Sequence, residues 1–97
     1  MSDATPHVTN NSAAGQFEIR SEQGQSLLKY AHRGDALDLV HTEVPGPLQG
    51  RGYGDLLVDA AFQYARNEKV RIIPTCSFVQ HYLTKHPELA ALVAAAH

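Results

Sequence analysis

Apolar and polar positions alternate along residues 16–44, and from residue 53 onward apolar positions recur at three- and four-residue steps. Alternation with period two marks strands, and the longer step marks helices that bury one side. The first part predicts strands over residues 16–20, 26–32 and 36–44, joined by tight turns at 21–24 and 33–35. Arg33-Gly34-Asp35 spells an adhesion tripeptide, but between two strand-like runs it reads as a hairpin turn. Strict alternation in the third run puts Leu37, Leu39 and His41 on one face and Asp38, Val40 and Thr42 on the other. Three such strands in succession form an antiparallel meander, which Pro45, Gly46 and Pro47 bring to an end.

The second part predicts a helix over residues 52–67. Tyr53, Leu56, Leu57, Ala60, Ala61, Tyr64 and Ala65 share its inner face, and Asp55, Asp59, Gln63 and Arg66 face solvent. Residues 70–75 are a short β-branched run with little polar alternation, the pattern of a strand buried on both faces. A short helix follows, with Ser77 as its N-cap and Phe78, Val79, Tyr82 and Leu83 turned inward. Pro87 suits the first position of a last helix over residues 88–96. The order β-β-β-α-β-α-α makes the strand at 70–75 parallel to the strand at 36–44, with the long helix as the crossover. Residues 1–14 show no periodicity and read as a disordered tail, leaving a single domain over 15–97.

Composition narrows the function. Ninety-seven residues with 43% hydrophobic content support one thin core. A net charge of −2 without a basic cluster argues against a nucleic-acid surface. The single cysteine excludes an internal disulfide. No apolar run approaches the ~20 residues of a membrane span, and no leader is evident, so a cytoplasmic location is the expectation. The six histidines show no ligand spacing, so no metal site is expected.

The most informative segment is Gln49-Gly50-Arg51-Gly52-Tyr53-Gly54, between the last meander strand and the long helix. Glycines let a ligand approach the main chain, and a helix start offers unpaired N–H groups with partial positive charge. Such a site suits a phosphate or pyrophosphate. A nucleotide-triphosphatase loop needs Lys-Ser/Thr after its last glycine, whereas Asp55-Leu56 follows here. The spacing Q-x-x-G-x-G instead resembles the pyrophosphate loop of the GNAT acetyltransferase superfamily. With His41-Thr42-Glu43-Val44-Pro45, Pro74-Thr75-Cys76-Ser77-Phe78-Val79 and His86-Pro87-Glu88 in order around it, the chain over roughly residues 16–93 resembles very small, single-domain GNAT-like proteins.

That resemblance implies a compact, truncated GNAT fold of the α/β (α+β) class, and acetyl-CoA held where two parallel strands splay apart. Thr42, Glu43, Val44, Gln49, Gly50, Arg51, Gly52, Tyr53 and Gly54 are the expected cofactor-binding residues. An exposed N–H near residues 41–44 is a candidate oxyanion donor. Cys76, at the end of the second parallel strand, is either an acyl acceptor or a packed core thiol. The resemblance implies a general-acid role for Tyr82, and a core aromatic is its plainer reading. His41 is either a base or a satisfied strand histidine. The Gly-Phe and final hairpin usual in the superfamily are missing, replaced by His86-Pro87-Glu88 and an alanine-rich segment. The expected function is acetyl transfer to a small-molecule or peptide amine, with a non-catalytic acyl-CoA-binding module as the alternative. A self-acylating or thioesterase-like use of Cys76 is a third reading. Acceptor and oligomeric state stay open.

Overall fold

The structure, a computed structural model, describes residues 6–94. Five strands form one sheet in the order β1-β2-β3-β4-β5: β1 Thr9–Asn11, β2 Gln16–Ser21, β3 Gly24–Arg33, β4 Ala36–Glu43 and β5 Arg71–Ile73. The first four are antiparallel neighbours, and β5 runs parallel to β4. The crossover is helix α1, Tyr53–Glu68, and α2, Ser77–Lys85, follows β5. The expected meander, central helix and parallel strand are all present. Among the described residues no helix is long and apolar enough to cross a membrane.

The core lies between one sheet face and the two helices. Phe17, Ile19, Leu28, Tyr30, Leu37 and Leu39 meet Leu57, Val58, Ala61, Phe62 and Ala65 of α1 and Val79 and Tyr82 of α2. Val58 and Phe62 are fully buried, so the inner stripe of α1 is wider than the sequence periodicity implies. Tyr53, Leu56, Ala60 and Tyr64 flank it, partly buried. Burying these aliphatic and aromatic side chains, each worth about 1.5–3 kcal/mol, is the main force holding the helices to the sheet.

Four expectations need correction. The tail expected over 1–14 contains β1, which pairs Thr9 with Glu18 and Asn11 with Gln16; residues 1–5 lie outside the described residues. The asparagines that read as disorder make cross-strand bonds: Tyr30 Oη donates to Asn10 Oδ1 at 2.6 Å, and Asn11 Nδ2 to Glu18 Oε2 at 2.9 Å. β5 is only three residues long and its Arg71 is exposed, because Pro74 follows Ile73 and ends the ladder. Cys76, not Ser77, is the N-cap of α2. The last helix is a 3₁₀ segment, Pro87–Leu92. It stops because Val93 bridges Ile72 and the Ala94 amide donates to Ile72 O at 2.8 Å; residues 95–97 lie outside the description.

A fifth difference decides how the site is built. Tyr30 pairs with Leu39, but Lys29 pairs with His41, which leaves Val40 as an extra residue. Such a bulge shifts the alternation of the strand by one position. His41 therefore falls on the outer side with exposed Lys29, and Thr42 joins buried Leu28 on the helix side. The alternation predicted from sequence holds up to Leu39 and is inverted beyond it.

Candidate functional site

β4 and β5 pair only from Ala36 to Asp38 and from Arg71 to Ile73. One further bond, from the Cys76 amide to Leu39 O at 2.9 Å, ties the start of α2 to β4. Beyond it β4 continues to Glu43 while the other chain segment coils into α2. The gap opens onto a cleft of about 490 Å³ lined by Thr42, Val44, Leu48, Gln49, Gly50, Gly52, Tyr53, Gly54, Asp55 and Phe78.

One end of this cleft is the start of α1. The first helical bond runs from the Leu56 amide to Gly52 O at 3.0 Å, and no side chain caps the helix. The amides of Tyr53, Gly54 and Asp55 therefore have no helical acceptor and carry the partial positive charge of the helix start. Gly50 and Gly52 both take φ near 82°, a left-handed conformation that costs a side-chain-bearing residue roughly 1–2 kcal/mol. A Cβ at either position would meet nothing within 4 Å, so the main chain here is open to approach. Gly54 serves differently. A Cβ there would lie 2.6 Å from Phe78 Cζ, so its bare Cα is what lets the α2 ring pack on the first turn of α1.

The other end is the junction of β4 and α2. Thr42 Oγ1 lies 3.4 Å from Cys76 Sγ. Cys76 is partly buried and sits one side chain behind the cleft wall. Burial opposes ionisation of its thiol, but the Thr42 hydroxyl and the amides of Val79, Phe78 and Thr42 outweigh it and lower the pKa below the ordinary thiol value. The α2 amides point toward the sulfur without closing a capping hydrogen bond. The Gln49 side chain donates to Val44 O at 3.1 Å and fixes the loop that forms the outer rim.

The remaining expected site residues fall elsewhere. Arg51 is exposed and outside the cleft lining. Glu43 lines a shallower adjoining depression with Gln25, Thr42, Val44, Pro45 and Gln49. His41 Nε2 lies 3.0 Å from Glu43 Oε2, both more than half exposed on the outer side of β4. The bulge thus puts the imidazole on the outer face and Thr42 on the cleft side. Tyr82 is buried in the core, its ring stacked on Phe62 at 6.3 Å and on His86 at 4.2 Å. Burial, with the carboxylates of Asp59, Asp55 and Glu88, raises its pKa. Leu48, Asp55 and Phe78 line the cleft without having been singled out for it. The apolar residue between Pro47 and Gln49, and the aromatic two residues past Cys76, were the available signals.

Comparison with known proteins identifies the family and the fold. The family model for the GCN5-related N-acetyl-transferase domain covers residues 16–92. Protein NATD1 of Homo sapiens is 33% identical over 75 residues, which span 74% of this chain and 66% of that one. NATD1 of Xenopus tropicalis is equally similar, with 69% of its length matched, and NATD1 of Danio rerio is 30% identical over 83 residues. A solution structure of a GCN5-like protein from Staphylococcus aureus superposes with a TM-score of 0.74 at 23% identity, over 98% of this chain and 94% of that one. That likeness speaks for the fold. With its open helix start and parting parallel strands inside the matched segment, the chain belongs to the GCN5-related N-acetyltransferase family.

Proposed function

We propose that this domain binds acetyl-CoA in the cleft between α1, β4 and α2 and passes the acetyl group to an amine, a small molecule or a peptide. The observation that carries the reading is the uncapped start of α1, whose amides at Tyr53, Gly54 and Asp55 face a roomy cleft. The residues present fit a diphosphate followed by a less polar arm. Gly50 and Gly52 leave the main chain approachable, and helix-start amides favour phosphate oxygens. Val44, Leu48, Tyr53 and Phe78 give the cleft an apolar wall. Arg51, exposed in the loop before α1, brings a positive charge to this end of the cleft. Acetyl-CoA when bound supplies an activated thioester acyl group.

The chain's own part is to hold, orient and shield. Amides at the start of α1 anchor the phosphates, and Gln49 fixes the rim through Val44 O. Thr42 and Cys76 meet at the inner end, where the thiol is the available nucleophile. His41 and Glu43 lie on the other side of β4. That separation favours a second reading, an acyl-CoA-binding module with little turnover.

Calorimetry with acetyl-CoA tests the first step, and absence of a binding heat overturns the reading. Gly52→Val is expected to weaken binding tenfold or more while the fold persists. Release of free CoA that depends on added amine identifies a transferase; binding without release identifies the module. Retention of one acetyl group by Cys76, seen as a mass increase of about 42 Da and lost in Cys76→Ala, identifies a covalent relay.

A further inference from the structure

The Val40 bulge has no packing role of its own, because Val40 is the exposed large hydrophobic residue of the described surface. Its effect lies two residues on, where it turns Thr42 from the outer side of β4 to the helix side. The only hydrogen-bond partner of the Thr42 hydroxyl among the described residues is Cys76 Sγ, at 3.4 Å. The Cys76 main chain is fixed independently, by its amide bond to Leu39 O on the near side of the bulge. Two contacts to the same strand, one before the extra residue and one after it, thus hold this cysteine directly behind Thr42 of the cleft wall.

We propose that Thr42 is a positioning residue for Cys76: its hydroxyl, turned inward by the Val40 bulge, holds the sulfur and donates to it once the thiol proton is lost. Hydroxyl and thiol can each donate when both are neutral, but a thiolate only accepts, so ionisation commits Thr42 as donor. A hydrogen bond to the charged form favours that form. The charged groups on the surrounding elements do not compete for this role. On β4, Asp38 bonds Arg33 Nε and Thr75 Oγ1, and His41 and Glu43 pair with each other on the outer side. On β5, Arg71 donates to Ala91 O and Val93 O. Asp55 lies in the first turn of α1, and His81 and Lys85 of α2 are exposed. The forces acting on the thiol are burial, the Thr42 hydroxyl and the nearby main-chain groups of Val79, Phe78 and Thr42, with no charged side chain among them. The inference rests on the proposed reading only in giving the thiol an acyl group to meet.

Because Cys76 is the single cysteine of the chain, its titration is read directly from the rate of iodoacetamide alkylation against pH. Thr42→Val keeps the side-chain shape and removes the donor. The midpoint is expected to rise by about one pH unit, a tenfold loss of thiolate at neutral pH. Nucleophilicity grows with thiol basicity, so the neutral-pH rate falls only about threefold and the alkaline plateau rises about threefold. A variant that merely loosened the wall would speed alkylation at every pH and leave the midpoint in place. Thr42→Ser is expected to return the midpoint to the wild-type value, and Thr42→Ala gives the same reading if the valine variant does not fold. An unmoved midpoint in a folded Thr42→Val protein, or a serine variant that behaves like valine, overturns the proposal. Calorimetry with acetyl-CoA on the same samples separates the two ideas, since loss of cofactor binding with an intact midpoint shift removes the function and leaves the Thr42 role standing.

Discussion

Two glycines two residues apart do different physical work, and substitution separates them. Gly52 needs its left-handed φ but has open space around it, whereas Gly54 sits in a helix and has Phe78 in the place a methyl would take. Gly52→Ala is expected to cost about 1–2 kcal/mol from conformation alone. Gly54→Ala overpacks the α1–α2 contact and is expected to cost about 1–3 kcal/mol. Urea unfolding distinguishes the causes: Phe78→Leu added to Gly54→Ala recovers part of the loss, and added to Gly52→Ala it recovers none. The sequence pointed to both glycines through their spacing alone. It could not assign Gly54 to packing, because its partner lies 24 positions away on another helix.

Among the elements, β1 is the one the chain hides best. A strand of three polar residues has no alternation to detect, and its evidence is a pair of side-chain bonds to β2 and β3. Tyr30→Phe removes the bond to Asn10 and is expected to cost about 1 kcal/mol. Amide hydrogen exchange should then quicken at residues 9–11 while β3 stays protected; equal protection in both proteins would refute the role given to this bond. The meander and α1 were legible because apolar positions recur along the sequence with the strand and helix periods. The bulge was not, since one inserted residue breaks no composition rule and shows only in the β3–β4 register. That is why His41 was expected on the face of Leu37 and Leu39, beside the cleft, and Thr42 on the face of Asp38. The glycine loop was readable for the opposite reason, because its chemistry is local.

At the scale of the molecule, three ionisable side chains besides Cys76 tie stability to pH. Glu18 is held below the usual carboxylate range by bonds from Gln16 and Asn11, against a cost of burial and with help from Arg20. A carboxyl depressed in the folded state stabilises it above the unfolded pKa near 4.5, and that contribution is lost as pH falls through the folded value. Tyr30 and Tyr82 are raised, chiefly by burial. Each contribution is complete below the unfolded value near 10 and fades as pH climbs through the higher folded one. Chemical denaturation is expected to show stability falling toward both limits, with the acid slope reduced in Glu18→Gln and the alkaline slope reduced in Tyr82→Phe. A profile unchanged by both substitutions would place the pH dependence elsewhere. The supernumerary valine of β4 gives a sharper handle on the whole design. Deleting Val40 would leave Leu39 opposite Tyr30, His41 opposite Lys29 and Thr42 opposite Leu28, so the ladder closes with the imidazole still outward and the hydroxyl still toward the sulfur. One codon removed would thus straighten the strand and leave every neighbouring side chain on the face it already occupies, which makes the extra residue dispensable to the cleft's chemistry.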